Sequence, residues 1–473
     1  MIDGVKVLIH RFFFRKVDTA SLAVFRMMFG TLLLFEAINY GAFLCLDCMY
    51  RDTELLFKYP FFEWVHVPPE PWLRLSYAVL GVAAIGVITG TFYRLSIILC
   101  TVLFSWHFLL DQALYLNHYY MAILICVILC FAPANRLWSV DAWRKPALRA
   151  ETVPNWSRFW LCAQLEIILL YAGIVKINHD WLNLEPMRLW MTNRSQDEAA
   201  LFQFLTQDWG IAAASYGAIA LHLIGAPLLL WRRTRLAVFC LYAFFHLTNA
   251  MVFDIGIFPF MTLAATLLLF DPDWPRQVVR WWLTRQNADT GHRWHALTVP
   301  AESAPHSGPA GATSRRLLSV MIVTGVCIWL VLQVVVPLRH LAAPGNVAWN
   351  EDGHQFSWRM KLRSKQGTVR FIVVSEDGKR TVVNPANHLN PRQVRTIACI
   401  PDLIWQFARF LDERHRGIDG QDVKVYAQAS CSLNDRPAAN LVDNRVDLSS
   451  IPRDEPVSHW ILPLDTPLRK TWF

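Results

Sequence analysis

The sequence predicts an α-helical polytopic membrane domain of about nine transmembrane helices, followed by an extracytoplasmic α+β or mainly β domain. Three observations carry this. The 473 residues are 54% hydrophobic and only 17% charged, with 21 Trp and 29 Phe, which is too apolar for a soluble chain of this length. Apolar runs long enough to cross a bilayer recur through the first two thirds. After Pro337 the pattern changes to short alternating segments, which belong in water.

The apolar runs fall at 21–44, 73–90, 95–116, 119–134, 159–177, 211–231, 236–253, 257–270 and 317–337; 119–134 and 257–270 are the shortest. Basic residues mark alternate connections: Arg11, Arg15 and Lys16; Arg94; Arg136, Arg144, Lys145 and Arg149; Arg232, Arg233 and Arg235; Arg276, Arg280 and Arg285. Each group follows an even number of crossings, so the positive-inside rule puts the N-terminus in the cytoplasm and the tail outside. The net charge of +8 is assigned to these inside loops and not to nucleic acid. The basic N-terminus precedes an apolar run longer than a signal-peptide core, with no small-residue cleavage site, so a retained helix is expected. The membrane is a bacterial inner membrane for a prokaryotic source, or endoplasmic reticulum for a eukaryotic one.

The expected divisions are a membrane domain over 1–285, a flexible inner loop over 286–315, a last transmembrane helix over 316–337 and an extracytoplasmic domain over 338–473. The inner loop is rich in Ala, Pro, Ser, Gly and Thr without periodicity, and its His292 and His295 read as solvated. In the tail, Val369–Val374 and Thr381–Val383 flank an Asp377-Gly378 turn and predict a hairpin. Leu403, Ile404, Phe407, Phe410 and Leu411 have helical spacing within 402–414, and Val423, Val425, Ala427 and Ala429 alternate as a half-buried strand. Most of the ten cysteines lie in apolar runs as small hydrophobes. Cys45 and Cys48 lack the second pair that a zinc site needs, and Cys399 and Cys431 could pair in an extracytoplasmic tail, although spacing does not decide it.

The chemistry centres on Lys176, at the outer end of the fifth run and followed by Asn178, His179 and Asp180. An ionisable residue in a spanning helix points to function, although a lysine at a helix end can simply snorkel. Its company separates the two readings. The orientation brings Asn117 and His118, at the outer turn before the fourth run, to the depth of Lys176. His246 and Asn249, three apart on one face of the seventh helix, arrive there too. Each histidine alone reads as a hydrogen-bonded bundle residue, whereas the set reads as a site. Glu166 reads as a bundle-facing polar residue. No metal is expected, because the membrane runs hold no histidine box or carboxylate–histidine cluster. No phosphate loop or Gly-x-Ser-x-Gly elbow occurs. A lysine amine kept from water can act as a base or nucleophile, which suits a lipid-soluble weak acid such as a phenol or quinol.

The chain resembles the vitamin K-dependent γ-glutamyl carboxylases and their bacterial HTTM-domain relatives. The stretches that carry the resemblance are Asp18-Thr-Ala-Ser-Leu-Ala-Val-Phe-Arg26, Leu110-Asp-Gln-Ala-Leu-Tyr-Leu-Asn-His118 and Trp138-Ser-Val-Asp-Ala-Trp143. Ala172-Gly-Ile-Val-Lys176 with Asp180-Trp181, and His246-Leu-Thr-Asn249 with Ile255-Gly-Ile-Phe258, continue it. Phe356-Ser-Trp-Arg-Met360, Asn434-Asp-Arg436 and Asp443-Asn-Arg-Val-Asp447 extend it through the tail.

The resemblance implies an enzyme of the carboxylase class that uses reduced vitamin K (phylloquinol or menaquinol), O2 and CO2 without a metal. It implies that Lys176 deprotonates the quinol, which then reacts with O2. The strongly basic oxygenated species removes a γ-proton from a glutamate in a peptide or protein, the carbanion captures CO2, and quinone epoxide is the coproduct. It further implies catalytic roles for His118 and Asn117, quinol binding by Trp358, Tyr115, His246 and Asn249, and glutamate binding by Arg392 and Arg436, whose guanidinium forks suit a carboxylate. The chain departs from the family at Val175, where the family has a paired lysine, at Tyr115, where it has a tryptophan, and at Gly353-His354. It also ends at Phe473, with less tail than the animal enzymes use for propeptide docking. These departures bear more on the glutamate half of the reaction than on the quinol half. Two alternatives therefore stand beside the carboxylase: a quinol epoxidase with a lost or different carboxylation substrate, and a non-enzymatic membrane binding protein or transporter. No inverted repeat supports a transporter.

Overall fold

The computed structural model describes residues 2–194, 206–285, 312–419 and 422–469. A short N-terminal helix α1 (Ile2–Phe14) leads through strand β1 (Lys16–Asp18) to α2 (Ala20–Ile38). Then come α3 (Glu70–Thr89), α4 (Tyr93–Leu109), α5 (Asn117–Phe131), strand β2 (Thr152–Pro154), α6 (Trp156–Ile174), α7 (Asp208–Ala220), α8 (Arg235–Val252), α9 (Phe258–Thr266), α10 (Trp274–Arg285) and α11 (Ala312–Val335). Six helical spans among the described residues are long and apolar enough to cross a membrane, so the chain is an integral membrane protein. Three apolar helices, at Tyr93–Leu109, Asn117–Phe131 and Phe258–Leu269, are shorter. The expected total of about nine is reached only if all three also cross.

Two boundaries differ from expectation, for local reasons. The run at 95–116 stops being helical at Leu109, because the Asp111 carboxylate accepts from its own neighbour Ala113 N at 3.0 Å and from Phe57 N at 3.3 Å, competing with helix continuation. Helix α6 ends at Ile174 with Val175 as its cap, so Lys176 lies beyond the helix and not in its last turn. Asn178 fixes this turn by donating to Val175 O at 2.9 Å and accepting from Trp181 N at 3.1 Å. Of the expected inner loop, 286–311 lies outside the described residues, with His292 and His295, and the chain is helical from Ala312.

Buried charges join the helices at the basic end of the bundle. Arg26, fully buried, donates to Val87 O, Ile88 O and Trp138 O at 2.7–2.9 Å, and so caps the carbonyl end of α3. Gly90 closes that helix at φ +66°, and a Cβ there would lie 2.5 Å from the Arg26 guanidinium. Asp141 accepts from Phe92 N and Tyr93 N, both at 2.9 Å, at the start of α4. Arg276 of α10 bridges Asp18 at 2.9 Å and Glu151 at 2.5 Å, which clasps the β1–β2 pair.

The tail is an α+β domain. Strands β3 (Lys365–Val374), β4 (Arg380–Val383), β5 (Lys424–Leu433) and β6 (Ala439–Asn440) form one antiparallel sheet of order β4-β3-β5-β6. Helices α12 (Pro391–Ile397) and α13 (Pro401–Asp419) accompany it. Leu403, Ile404, Phe407 and Leu411 of α13 pack with the inward residues Val425, Ala427 and Ala429 of β5, and Phe407 meets Phe371 with ring centres 4.7 Å apart. A Cys399–Cys431 disulfide ties the helical segment to β5.

This domain sits on two loops of the membrane half. Gln393 donates to Asp111 at 2.9 Å and to Leu55 O at 2.9 Å, Gln406 donates to Gln112 at 2.8 Å, and Phe57 and Ala113 enter the tail's own core. Burial pushes the Asp111 carboxyl up to about 6, against the hydrogen bonds from Ala113 N, Gln393 and Phe57 N. A carboxyl raised in the docked state stabilises docking fully below its ordinary value near 3.8 and loses that contribution as pH rises through about 6. Thermal stability of the detergent-solubilised protein is therefore expected to decline over this window, by up to about 3 kcal/mol. Asp111→Asn should flatten the profile, and an unchanged slope in that variant would assign the titration elsewhere.

Candidate functional site

The turn after α6 places Lys176 in a cavity of about 220 Å³ between the membrane helices and the tail. The residue is 5% exposed, and its ammonium donates to Ala172 O at 2.7 Å, 5.1 Å from the centre of the Trp181 ring. Trp181 is held by its indole N–H on Ser215 O at 3.0 Å. No carboxylate pairs with Lys176 among the described residues. Asp180, four residues on, is engaged elsewhere. Arg436 holds both of its oxygens, at 2.6 and 2.7 Å, and Asn434 adds a bond at 2.8 Å. Burial raises the Asp180 carboxyl, but these bonds outweigh it and keep the group below the ordinary carboxylate value, hence ionised.

Asn117, His118, His246 and Asn249 line the same cavity as Lys176. His118, the second residue of α5, points its Nε2 at Gly256: a Cβ there would lie 3.2 Å away, and Gly256 has φ +52°. Glycine at 256 thus leaves the imidazole its room. His246 is 1% exposed and neither ring nitrogen has a partner among the described residues. A buried imidazole with both nitrogens unsatisfied at a cavity wall calls for a polar ligand atom. Asn117 accepts from the Tyr115 hydroxyl at 3.0 Å, and that hydroxyl accepts from Phe356 N at 2.7 Å, which joins the cavity wall to the tail.

The other expected site residues lie elsewhere. Tyr115 supports Asn117 from behind and is not on the wall. Trp358 is fully buried and stacks on Tyr120 at 4.9 Å; the same tail segment reaches the cavity two and three residues later, with Met360 and Lys361. Arg392 is exposed on α12 beside the Tyr40 hydroxyl, away from the cavity. Arg436 is committed to Asp180. The two arginines therefore do not converge, because one is an internal tie and the other follows a different helix. Glu166 is half-buried on α6, outside the cavity, with Oε1 unpartnered among the described residues.

Three residues escaped the sequence reading. His222 lies on the cavity wall in a π-turn (Leu221–Gly225) that continues α7, with Nδ1 2.7 Å from Ala218 O. This turn passes Gly173 so closely that a Cβ there would come within 3.0 Å of His222. A lone histidine in an apolar run gives no signal; the Ala172-Gly173 pair, which allows close approach, is the nearest hint. Lys361 places its ammonium 4.6 Å from the Phe253 ring centre and 5.5 Å from that of Trp190. Glu36 is 3% exposed and accepts from the Tyr119 hydroxyl at 3.0 Å, and a Cβ at Gly256 would lie 3.8 Å from its Oε1 as well as 3.2 Å from His118 Nε2.

The wall also includes Ile168, Leu169, Phe245, Phe253 and Phe258. An apolar slot with an amine and unsatisfied imidazole nitrogens fits a flat aromatic alcohol, whose ring the hydrocarbon covers and whose hydroxyls the polar groups meet. No three His, Cys, Asp or Glu side chains among the described residues are grouped as metal ligands would be.

Comparison with known families follows the division of the structure. Residues 14–274 match the HTTM domain model, and residues 318–467 match the model described as vitamin K-dependent gamma-carboxylase, lumenal domain. No solved structure matches the chain. A lysine without an acid partner among the described residues, facing an apolar cavity roofed by the tail, thus stands in a chain whose two parts match, in order, the HTTM domain and the carboxylase lumenal domain. The chain belongs to the vitamin K-dependent gamma-carboxylase family, as an integral membrane protein with an HTTM domain followed by the family's lumenal domain.

Proposed function

We propose that the cavity binds a reduced vitamin K-type quinol, phylloquinol or menaquinol, and that the chain couples its oxygenation to the epoxide with γ-carboxylation of glutamate. When bound, the quinol supplies the reducing equivalents and the reactivity toward O2. The protein supplies a base, a dry cavity and a path for substrate. The observation that carries this reading is Lys176, buried on the cavity wall and without an acid partner among the described residues, its ammonium held only by Ala172 O. An amine paired to a carboxylate would stay protonated, whereas an unpaired one can accept the hydroxyl proton. His246 and Asn249 meet the quinol oxygens, and Asn117 is aimed by Tyr115. His118, turned toward Gly256, serves the glutamate half.

One observation favours the reading in which the quinol is epoxidised and the carboxylated substrate is lost or different. Arg392 and Arg436 do not build a carboxylate site at the cavity. Lys361 is the cation that the tail brings to its wall, and we assign substrate-carboxylate binding to it within the carboxylase reading.

Lys176→Ala and Lys176→Arg are both expected to lower epoxide formation by at least about 100-fold with folding intact, since a guanidinium stays protonated. Near-normal epoxidation in Lys176→Ala would reduce the residue to a snorkelling lysine. Arg436→Ala strands the buried Asp180 carboxylate and loosens the tail at the Lys176 turn, so epoxidation and thermal stability should fall together; an effect confined to the peptide KM would return Arg436 to glutamate binding.

Labelled CO2 incorporation into a Glu-containing peptide, measured beside epoxide formation, separates the two readings. Lys361→Ala should raise the peptide KM about tenfold, as expected for a charge-assisted contact of about 1.5 kcal/mol, and Arg392→Ala should leave it unchanged. Epoxide without any incorporated CO2 in the wild type would leave only the epoxidase.

The N-terminus is proposed to be cytoplasmic and the tail extracytoplasmic. Single cysteines introduced at Arg144 and in the β3–β4 turn should be labelled from opposite sides of sealed vesicles. Labelling from the same side would overturn the orientation.

A further inference from the structure

At the end of the bundle opposite the tail, a second cavity of about 790 Å³ opens between α1, the start of α6 and the turn before α8. Phe159, Leu230 and Leu269 give it an apolar wall. Asp18 and Asp273 also line it and are held by Arg276 and Arg280, and its cations fall into two groups. Arg232 and Arg235 both pair with Asp271. Arg15, Lys16 and Arg158 also line it, and none of them has an acid partner among the described residues. Arg158 donates to Phe270 O at 2.8 Å, while its Nε has no partner there. Helix α1 carries exposed Leu8 and Phe12, four apart on one face, ahead of these cations, the arrangement of a helix lying in the membrane surface.

We propose that this cavity binds the headgroup of an anionic phospholipid. Three unpaired cations select a phosphate oxyanion, and the hydrocarbon wall, continuous with helices that span the bilayer, selects one that carries acyl chains over a soluble phosphate. Neither the quinol nor the glutamate reaction uses this site, so the proposal stands apart from the assigned function.

The test reconstitutes the full chain in vesicles of equal parts phosphatidylcholine and phosphatidylglycerol, releases it in mild detergent and counts retained lipids by native mass spectrometry. Phosphatidylglycerol should be retained in preference, and excess inorganic phosphate should not displace it. Arg15→Gln with Lys16→Gln, and separately Arg158→Gln, should lower retention about fivefold per cation removed, while Arg158→Lys should keep it. Equal retention of both lipids by the wild type, undiminished retention in the glutamine variants, or displacement by inorganic phosphate would each overturn the proposal. Arg15 and Lys16 are exposed, so the double variant keeps the test decisive if Arg158→Gln does not fold.

Discussion

The site depends on one buried ion pair. Arg436, from the tail, grips Asp180 through both nitrogens of its fork, four residues beyond Lys176. Breaking such a pair by removing one partner strands a buried charge, at a cost of about 3–5 kcal/mol, so the contact is a firm tie between the two halves. It has a second consequence. The tail that this pair anchors also brings Met360 and Lys361 to the wall of the cavity that Lys176 lines, so the cavity is complete only in the assembled protein.

The supports of the cavity follow a common pattern. At several places where the chain ends a helix or brings two close together, a glycine or a buried polar group does it. Arg26 and Gly90 finish α3 together, Asp141 starts α4, Asn178 terminates the turn after α6, and Gly256 leaves space for His118. In a bilayer no water is at hand to satisfy the first and last peptide groups of a helix, so side chains must do so. The stretches 18–26 and 138–143, which contribute nothing to the cavity wall, are explained this way. They are joints at the basic end of the bundle.

The structure also separates residues that resemble one another chemically. Lys361 and Arg436 both come from the tail and both approach the Lys176 turn, yet Lys361 lines the cavity and Arg436 is sealed beneath it. Trp358 lies in the same segment as Lys361 but is turned away, stacked on Tyr120, with φ +53° at its own position. The segment is held in this irregular path by Glu351, which takes Arg363 at 2.7 Å and Lys365 at 2.9 Å. Its carboxylate is buried, but Arg363 and Lys365 hold it well below the ordinary range.

Sequence alone determined the membrane class, the change of character after Pro337, the hairpin and helix of the tail, and the meeting of Lys176, Asn117, His118, His246 and Asn249, which line one cavity. These follow from patterns of hydrophobicity and charge along a helix, which the bilayer converts directly into position. It did not reveal His222, Lys361 or Glu36, nor that Arg436 would pair with Asp180. Those outcomes depend on contacts between residues as far as 256 positions apart, and on a π-turn and positive-φ positions that leave no periodic trace. The sequence supplied the charged groups and their depth in the membrane; only the packing of the tail against the bundle decided which charge pairs with which, because pairing is set by distances of a few ångströms.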